Sequence, residues 1–208
     1  MFPAKSALSI HFSILIFLSR LLFLTSSLES WRADKHVAMF VFGDSLFDAG
    51  NNDFLNISID YKADFPPYGE TFFNFSTGRS CDGRILPDFA ATYANLPLLL
   101  PYLYPGFNNF SHGVNFVSAG ADVLPQTDPE TLNSRIQLSD FKKVANLLKQ
   151  QLGDAEAKKI LMDAIYLNSF GGVDDVRFLH NNRNPTESEM EEFVQVVMGN
   201  FTDVIKVN

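Results

Sequence analysis

Three short apolar runs recur along the chain, and each ends in glycine or other small residues. The runs are residues 37–42, a stretch that begins at residue 112, and residues 164–170. Apolar runs of this length, bounded by turn-forming residues, predict buried strands. Because helix-like stretches separate them, the strands are expected to be parallel, in an α/β fold with helices on both faces of the sheet. Their three carboxyl ends would then lie at one edge of that sheet.

The stretches between the predicted strands carry helical patterns. Residues 84–94 predict a short helix, and residues 140–152 predict a longer one with Asp140 as its cap and Gly153 as its stop. Another helix is expected to begin at Asp154. The apolar face of the longer helix consists of Phe141, Val144, Leu148 and Leu152.

The last predicted helix is marked by a capping box. Thr186 precedes Glu189 by three residues, the spacing at which the two residues satisfy each other's backbone N–H groups. An apolar stripe follows at helical spacing and consists of Met190, Phe193, Val197, Phe201 and Val204. Since no internal repeat or long linker interrupts the pattern, the 208 residues are expected to hold one domain behind a leader.

Residues 1–30 have the pattern of a secretory signal peptide. Lys5 gives a weakly positive start, an apolar stretch follows, and the segment ends in small hydroxyl residues. A membrane anchor is the alternative, but Arg20 lies inside a stretch that is barely long enough to span a bilayer. We therefore expect secretion without stable membrane insertion, and residues 31–208 as the folded part.

Four glycosylation sequons agree with the secretory route. One Asn-x-Ser/Thr triplet is a weak signal, but four behind a signal-like start favour secretion. Their asparagines are Asn56, Asn74, Asn109 and Asn200. The single cysteine, Cys81, gives no disulfide framework within this chain.

Charge and motif content exclude several classes of partner. The formal net charge is -8 and no Lys/Arg cluster exceeds a pair, which argues against nucleic-acid binding. No His/Cys/Asp cluster has the spacing of metal ligands, and no glycine-rich loop could hold a nucleotide phosphate. We therefore expect no metal and no cofactor.

One serine stands where the first strand meets a series of turn-forming residues. Ser45 follows Gly43 and Asp44 directly after the apolar run. Serine is a common turn residue, but a serine at the carboxyl end of a parallel strand also lies where open α/β sheets bind ligands. The G-x-S-x-G signature of many serine hydrolases is not met, because Phe47 stands where its second glycine would be.

Several blocks of the sequence, taken in order, resemble the plant GDSL esterase/lipase family. The resemblance runs from about residue 37 to the end of the chain. The blocks are "FVFGDSLFDAGNN", "FSTGRSCDGRILPDFAATYANLPLLLPYL", "GVNFVSAGADVL" and "LGDAEAKKILMDAIYLNSFGGVDD".

The resemblance implies a flavodoxin-like α/β/α sandwich that hydrolyses carboxylic esters or lipids. Ser45 would be the nucleophile, and the N–H groups of Ser45 and Gly120 would contribute to the oxyanion hole. Asp48, Gly50 and Asn51 match the rest of the first block, where they are expected to shape the turn. The partner would be a small-molecule or lipid ester.

Two departures from the family pattern bear on activity. Val173 occupies the position of the asparagine that completes the family's oxyanion hole, and valine has no hydrogen-bond donor. The family's general base lies in an Asp-x-x-His motif near its carboxyl end, and this chain contains no such motif. Its histidines are His11, His36, His112 and His180.

Two functions therefore remain open. In the first, the chain is the amino-terminal part of a single hydrolase domain, incomplete at its carboxyl end and weak or inactive as it stands. In the second, it is a secreted, non-catalytic binding or modifier protein that keeps the hydrolase fold. Val173 favours the second function, and the intact GDSL block favours the first.

Overall fold

A parallel sheet lies at the centre of the computed structural model, which describes residues 37–124 and 130–206. Its strands in the described part are β1 (Met39–Gly43), β2 (Gly113–Asn115) and β3 (Ile165–Ser169). Their order is β2-β1-β3, and both neighbours run parallel to β1. The α/β class and the parallel sheet predicted from the apolar runs are therefore confirmed.

Helices and short 3₁₀ turns connect the strands. The leader predicted at 1–30, which contains His11, lies outside the described residues, and so does His36. Among the residues that the structure describes, no helix is long and apolar enough to cross a membrane. The helices are α1 (Leu86–Tyr93), α2 (Ser134–Leu152), α3 (Asp154–Asp163), α4 (Gly172–Asn181) and α5 (Glu187–Lys206), and the 3₁₀ turns are Ser45–Phe47, Asn51–Phe54 and Ile59–Tyr61.

Strand β1 is buried on both faces because its side chains alternate between two apolar clusters. Phe40 packs with Val144 of α2 and Ile160 of α3 on one face. Met39 and Val41 point to the other face, where the cluster also contains Ala91 of α1, Leu99 and Val117. Since successive strand residues point to opposite faces, the apolar run of β1 supplies both halves of the core.

The predicted start of α2 at Asp140 is wrong. The helix begins six residues earlier, because the side-chain oxygen of Asn133 accepts the N–H groups of Arg135 and Ile136, each at 3.1 Å. Asp140 is buried inside the helix and accepts a hydrogen bond from Lys143 at 2.7 Å. Asparagine and aspartate both cap helices well, so residue type alone does not choose between them.

The end of α2 is as predicted, but its apolar face is shorter. Gly153 ends the helix with a φ of 84°, in the left-handed region that glycine adopts without strain. Val144 and Leu148 are fully buried, whereas Leu152 is 44% exposed. The expected stripe therefore contributes to the core only as far as Leu148.

The remaining elements follow the predicted pattern with shifted bounds. Strand β3 is half-buried rather than buried, and Tyr166 on it is 42% exposed. The capping box is confirmed, because Thr186 and Glu189 exchange backbone-to-side-chain hydrogen bonds of 2.7 and 3.3 Å. In the stripe of α5, Val197 and Val204 are buried while Met190 is exposed.

Candidate active site

The end of β1 is fixed by a side chain from α2. Gln137, which is fully buried, accepts the N–H of Gly43 at 2.9 Å and donates to its carbonyl oxygen at 2.8 Å. Gly43 has a φ of 146°, and a Cβ there would collide with the carbonyl oxygen of Ser169. The backbone is therefore held in place two residues before Ser45.

Ser45 begins the 3₁₀ turn that follows β1, and its side chain is exposed. Asp44 caps this turn by accepting the N–H of Leu46 at 3.5 Å. The amide of Asn115 donates to the carbonyl oxygen of Phe47 at 2.7 Å and fixes the other end of the turn. Among the described residues, neither the hydroxyl nor the backbone N–H of Ser45 has a hydrogen-bond partner.

Gly120 lies in the turn after β2 and presents a second unpaired backbone donor. Its φ is 83°, and a Cβ at this position would collide with the ring of Tyr61. The position therefore favours glycine both by its backbone conformation and by its contact with Tyr61. Its N–H has no hydrogen-bond partner in the described part of the chain.

Ser45 and Gly120 line the same cleft, which has a volume of about 530 Å³. Val173 lines the same cleft, so the structure brings together the three positions singled out in the sequence as nucleophile, oxyanion glycine and replaced asparagine. The other lining residues are Asp44, Leu46, Asp60, Tyr61, Ser80, Ala119, Gly172, Val176 and Arg177. The cleft lies at the carboxyl edge of the sheet, where open α/β sheets bind ligands.

The first block of the sequence shapes its turn through Asp48. One carboxylate oxygen accepts the N–H groups of Gly50 and Asn51 at 2.7 and 3.1 Å, and the other accepts that of Ala119 at 2.7 Å. Burial raises the pKa of Asp48 to about 7, while the three N–H groups act in the opposite direction. Gly50, with a φ of 116°, begins the next 3₁₀ turn.

Asn51 reaches further than its own turn. Its amide donates to the carbonyl oxygens of Asn115 and Val117 at 2.9 and 2.7 Å, and its side-chain oxygen accepts the N–H of Leu103 at 3.0 Å. The side chain therefore joins the first block to the chain that continues from β2. In the sequence it was expected only to shape the turn.

The amino terminus of α4 forms another wall of the cleft. Its first N–H, from Gly172, binds the carboxylate of Asp44, whose pKa is raised by burial and lowered by the hydrogen bonds from Leu46 and Gly172. Asp174 is turned away from the cleft, because its carboxylate accepts the N–H groups of Val123 and Leu124 at 2.9 and 3.1 Å. The partial positive charge at the amino terminus of α4 is offset by the carboxylate of Asp44, which binds the N–H of Gly172.

A partly exposed ion pair borders the same wall. Arg177 donates to Asp122 at 2.8 Å, and the carboxylate of Asp122 is almost fully buried. Burial, followed by the nearby charge of Asp174, raises the pKa of Asp122 to about 6, and Arg177 partly counteracts this. Arg177 is the cation among the described residues that line the cleft.

Comparison with known proteins identifies the family to which the chain belongs. The sequence model described as GDSL-like Lipase/Acylhydrolase matches residues 39–207. The chain belongs to the GDSL lipase/acylhydrolase family.

Curated relatives in this family share close to half of their aligned residues with the chain. It is 44% identical over 201 residues to GDSL esterase/lipase 5 of Arabidopsis thaliana, which is 93% of this chain and 52% of that protein. It is 42% identical over 184 residues to the GDSL lipase of Tanacetum cinerariifolium, or 88% of this chain and 47% of that protein. The chain thus spans about half the length of the curated relatives it matches. No solved structure gives a significant match.

The described part of this GDSL family member places no histidine in the cleft. His112 precedes β2 at the opposite edge of the sheet, with Nδ1 3.2 Å from the carbonyl oxygen of Val37. His180 is exposed in the last turn of α4, whereas the cleft is lined by the beginning of that helix. Neither histidine is therefore placed to accept a proton from Ser45.

Sequence reasoning missed the side chains that hold the GDSL block in place. Gln137, Asn52 and Asn115 are buried polar residues far along the chain from the atoms they bind. Asn115 and Asn52 stand in or beside recognised blocks, which is a usable signal, but nothing marks Gln137. Cys81 is a free, partly exposed cysteine. In the described ranges, no group of three or more His, Cys, Asp or Glu side chains could hold a metal ion.

Proposed function

We propose that the protein is a secreted serine ester hydrolase in which Ser45 attacks the carbonyl carbon of a carboxylic or lipid ester. One observation carries the proposal: the exposed hydroxyl of Ser45 shares a cleft with two unpaired backbone N–H groups, those of Ser45 and Gly120. Two backbone N–H groups that are left open in a cleft beside an exposed serine hydroxyl are suited to stabilise an oxyanion.

The reaction follows from these groups. The Ser45 oxygen adds to the ester carbonyl, and the charge that develops on the carbonyl oxygen is stabilised by the two N–H groups. Collapse of the tetrahedral intermediate expels the alcohol and leaves an acyl ester on Ser45, which water then hydrolyses. The proton of the Ser45 hydroxyl passes to a base, which returns it to the departing alcohol. By resemblance to the family, this base would be the histidine of an Asp-x-x-His motif.

Hydrolysis by the chain as it stands is proposed to be weak. A neutral serine hydroxyl is a poor nucleophile, and none of the described residues lining the cleft is a histidine. Val173 adds a second deficit, since the loss of one oxyanion donor typically lowers the rate by about 10² to 10³-fold. The two deficits act on one transition state and need not add.

The cleft favours neutral, apolar esters over anionic ones. Leu46 and Val176 are 71% and 68% exposed at its wall, where they can contact an acyl chain. Asp44 and Asp60 line the cleft against the single cation Arg177 among its described residues, and the chain has a net charge of -8. These charges disfavour an anionic substrate.

Secretion and glycosylation belong to the same proposal. They are supported by the signal-like pattern of residues 1–30 and by the four sequons. Asn56, Asn74 and Asn109 are exposed, as an attached glycan requires.

A second function is favoured by Val173 alone. A non-catalytic binding protein that keeps the fold would tolerate the loss of the oxyanion asparagine. Such a protein would bind an apolar ester in the cleft without turning it over.

The two functions are separated by joining the chain to a family segment that carries Asp-x-x-His and measuring hydrolysis of p-nitrophenyl butyrate. We expect hydrolysis above background, abolished by Ser45→Ala and kept by Ser80→Ala, since Ser80 is a second exposed serine of the same cleft. Equal activity of wild type and Ser45→Ala would remove Ser45 from the mechanism. Binding of the ester without turnover would favour the non-catalytic function.

A further inference from the structure

Asn52 contacts three groups that surround Gly120. Its side-chain amide donates to the carbonyl oxygens of Ala119 and Tyr61, each at 2.9 Å, and its side-chain oxygen accepts the hydroxyl of Ser118 at 2.6 Å. The side chain is 1% exposed, and all three of these hydrogen bonds are made within the fold. The amide is therefore fixed in one orientation.

The bond to Ala119 determines where the N–H of Gly120 points. The carbonyl group of Ala119 and the N–H of Gly120 belong to one planar, trans peptide unit, so they point in opposite directions. When Asn52 holds the carbonyl oxygen on the buried side, the N–H of Gly120 is directed away from Asn52. This is the N–H that has no partner among the described residues and belongs to a residue lining the cleft.

The neighbouring groups hold the same peptide from other directions. Asp48 accepts the N–H of Ala119 at 2.7 Å, which fixes the preceding peptide unit. Tyr61, whose carbonyl oxygen accepts from Asn52, places its ring against Gly120. The orientation of the Ala119–Gly120 peptide is therefore set by the first block of the sequence, 67 residues away.

We propose that Asn52 is a positioning residue of the oxyanion hole, which orients the Ala119–Gly120 peptide so that the N–H of Gly120 faces the Ser45 cleft. This inference rests on the proposed function of Ser45. Asn52 does not itself contact the ester; it acts through the peptide that it holds. Its role is separate from that of the asparagine replaced by Val173, which stands on a different wall of the cleft.

Asn51 provides a matched control. It is equally buried, its amide also donates to two carbonyl oxygens, and its side-chain oxygen also accepts one donor. Its partners lie at Asn115, Val117 and Leu103, not at the Ala119–Gly120 peptide. Truncating either asparagine breaks three hydrogen bonds, so the costs in stability are expected to be of similar size.

The test is acylation of the chain by p-nitrophenyl acetate at a pH of about 9.5, where hydroxide supplies the base and Ser45 needs no histidine. Mass spectrometry of the digested protein, read at the peptide that contains Ser45, gives the acylation rate of Ser45 as a function of ester concentration. For Asn52→Ala we expect the maximal rate to fall by about 10 to 10²-fold, because misalignment of the Gly120 N–H costs nearly as much as removal of an oxyanion donor. The half-saturating concentration is expected to change by less than about twofold, since the donor acts in the transition state. Asn51→Ala should keep the maximal rate.

A spectroscopic readout separates this inference from the function of Ser45. Loss of the hydrogen bond should shift the ¹³C signal of the Ala119 carbonyl and the amide signal of Gly120 in Asn52→Ala, and leave both in place in Asn51→Ala. If the signals shift only in Asn52→Ala but Ser45 of the wild type is never acylated, Asn52 orients the Ala119–Gly120 peptide and the proposed hydrolase function is wrong. If Ser45 is acylated and the two alanine variants lose rate equally, or neither loses it, the positioning role of Asn52 is overturned.

A milder variant covers the case in which Asn52→Ala does not fold. Ser118→Ala removes only the hydroxyl that holds the side-chain oxygen of Asn52 and accepts the N–H of Leu132 at 3.1 Å. We expect it to lower the maximal acylation rate at an unchanged half-saturating concentration. A rate equal to that of the wild type, with the Ala119 and Gly120 signals unmoved, would contradict the proposal.

Discussion

Arg79 and Asp88 form a buried, bidentate ion pair. The guanidinium Nε and Nη2 each lie 2.8 Å from one carboxylate oxygen, and the two side chains are 6% and 2% exposed. Arg79 also donates to the carbonyl oxygens of Ala49 and Leu99 at 3.4 and 3.2 Å. The pair therefore joins the segment that precedes Ser80 to the start of α1 and to the first block of the sequence.

Breaking this pair should strongly destabilise the fold. For Asp88→Ala we expect a loss of about 3 to 5 kcal/mol in the free energy of unfolding, because the buried Arg79 charge loses its partner. Arg79→Lys should also lower the free energy of unfolding, since lysine lacks the planar guanidinium group that binds both carboxylate oxygens of Asp88. Chemical unfolding curves provide the measurement.

The ion pair between Lys143 and Asp140 of α2 is the control, because only its carboxylate is buried. Lys143 lies 2.7 Å from Asp140, but its side chain is 63% exposed. Lys143→Ala should therefore cost less stability than Asp88→Ala, because water screens the exposed ammonium group. Equal losses for Asp88→Ala and Lys143→Ala would show that burial of the Arg79 pair has no special effect.

Stability should fall as the pH rises from about 4 to 7. Burial raises the pKa of Asp48 to about 7 and that of Asp122 to about 6, from an ordinary value of 3.8. The folded chain therefore binds more protons than the unfolded chain in this range, so the free energy of unfolding decreases with increasing pH. This loss of stability is complete above the pKa values of Asp48 and Asp122 in the folded chain, and it is absent below their pKa in the unfolded chain.

Melting temperatures between about pH 5 and pH 7.5 test this dependence. We expect a lower melting temperature at the higher pH, and a smaller decrease in Asp122→Asn because one carboxyl group with a raised pKa is absent. Lys143→Ala should show the full decrease, since it leaves both carboxyl groups in place. A melting temperature that rises with pH in the wild type would contradict the raised pKa values.

An asparagine at position 173 should increase activity if the proposed mechanism holds. In the chain joined to an Asp-x-x-His segment, Val173→Asn is expected to raise the hydrolysis rate by about 10 to 10³-fold, because it supplies a further donor to the proposed oxyanion hole. Val176→Asn is the control, since Val176 lines the same cleft almost one turn further along α4. An increase of the same size in both variants would attribute the effect to polarity of the cleft rather than to a placed donor.

Glycan occupancy should differ among the sequons. Asn56, Asn74 and Asn109 are exposed, whereas Asn200 lies within α5, accepts from Arg135 at 3.2 Å and donates to Val196 at 2.9 Å. We expect higher occupancy at the first three when the protein is expressed through the secretory pathway. Peptide mapping after glycosidase treatment measures it, and a protein whose mass does not change on that treatment would contradict secretion with glycosylation.

The parts of the site that could be predicted are those with a local signal. An apolar run that stops at Gly43 locates the strand end and Ser45, and the ordered blocks identify Gly120 and Val173. The contacts that hold these positions could not be predicted, because Gln137 and Asn52 bind backbone atoms 94 and 67 residues away. The predicted start of α2 was wrong for a local reason. Asn133 and Asp140 are both good helix caps, and only packing decides between them.

The most direct test of the account asks which atom of the protein carries the acyl group. The chain is reacted with p-nitrophenyl acetate at a pH of about 9.5, digested and mapped by mass spectrometry, in parallel with Ser45→Ala and Ser80→Ala. We predict that the acyl group is found on Ser45 in the wild type and in Ser80→Ala, and is absent from that peptide in Ser45→Ala. An acyl group on Ser80, or none on Ser45 when other surface residues are modified, would contradict the assignment of Ser45 as the nucleophile.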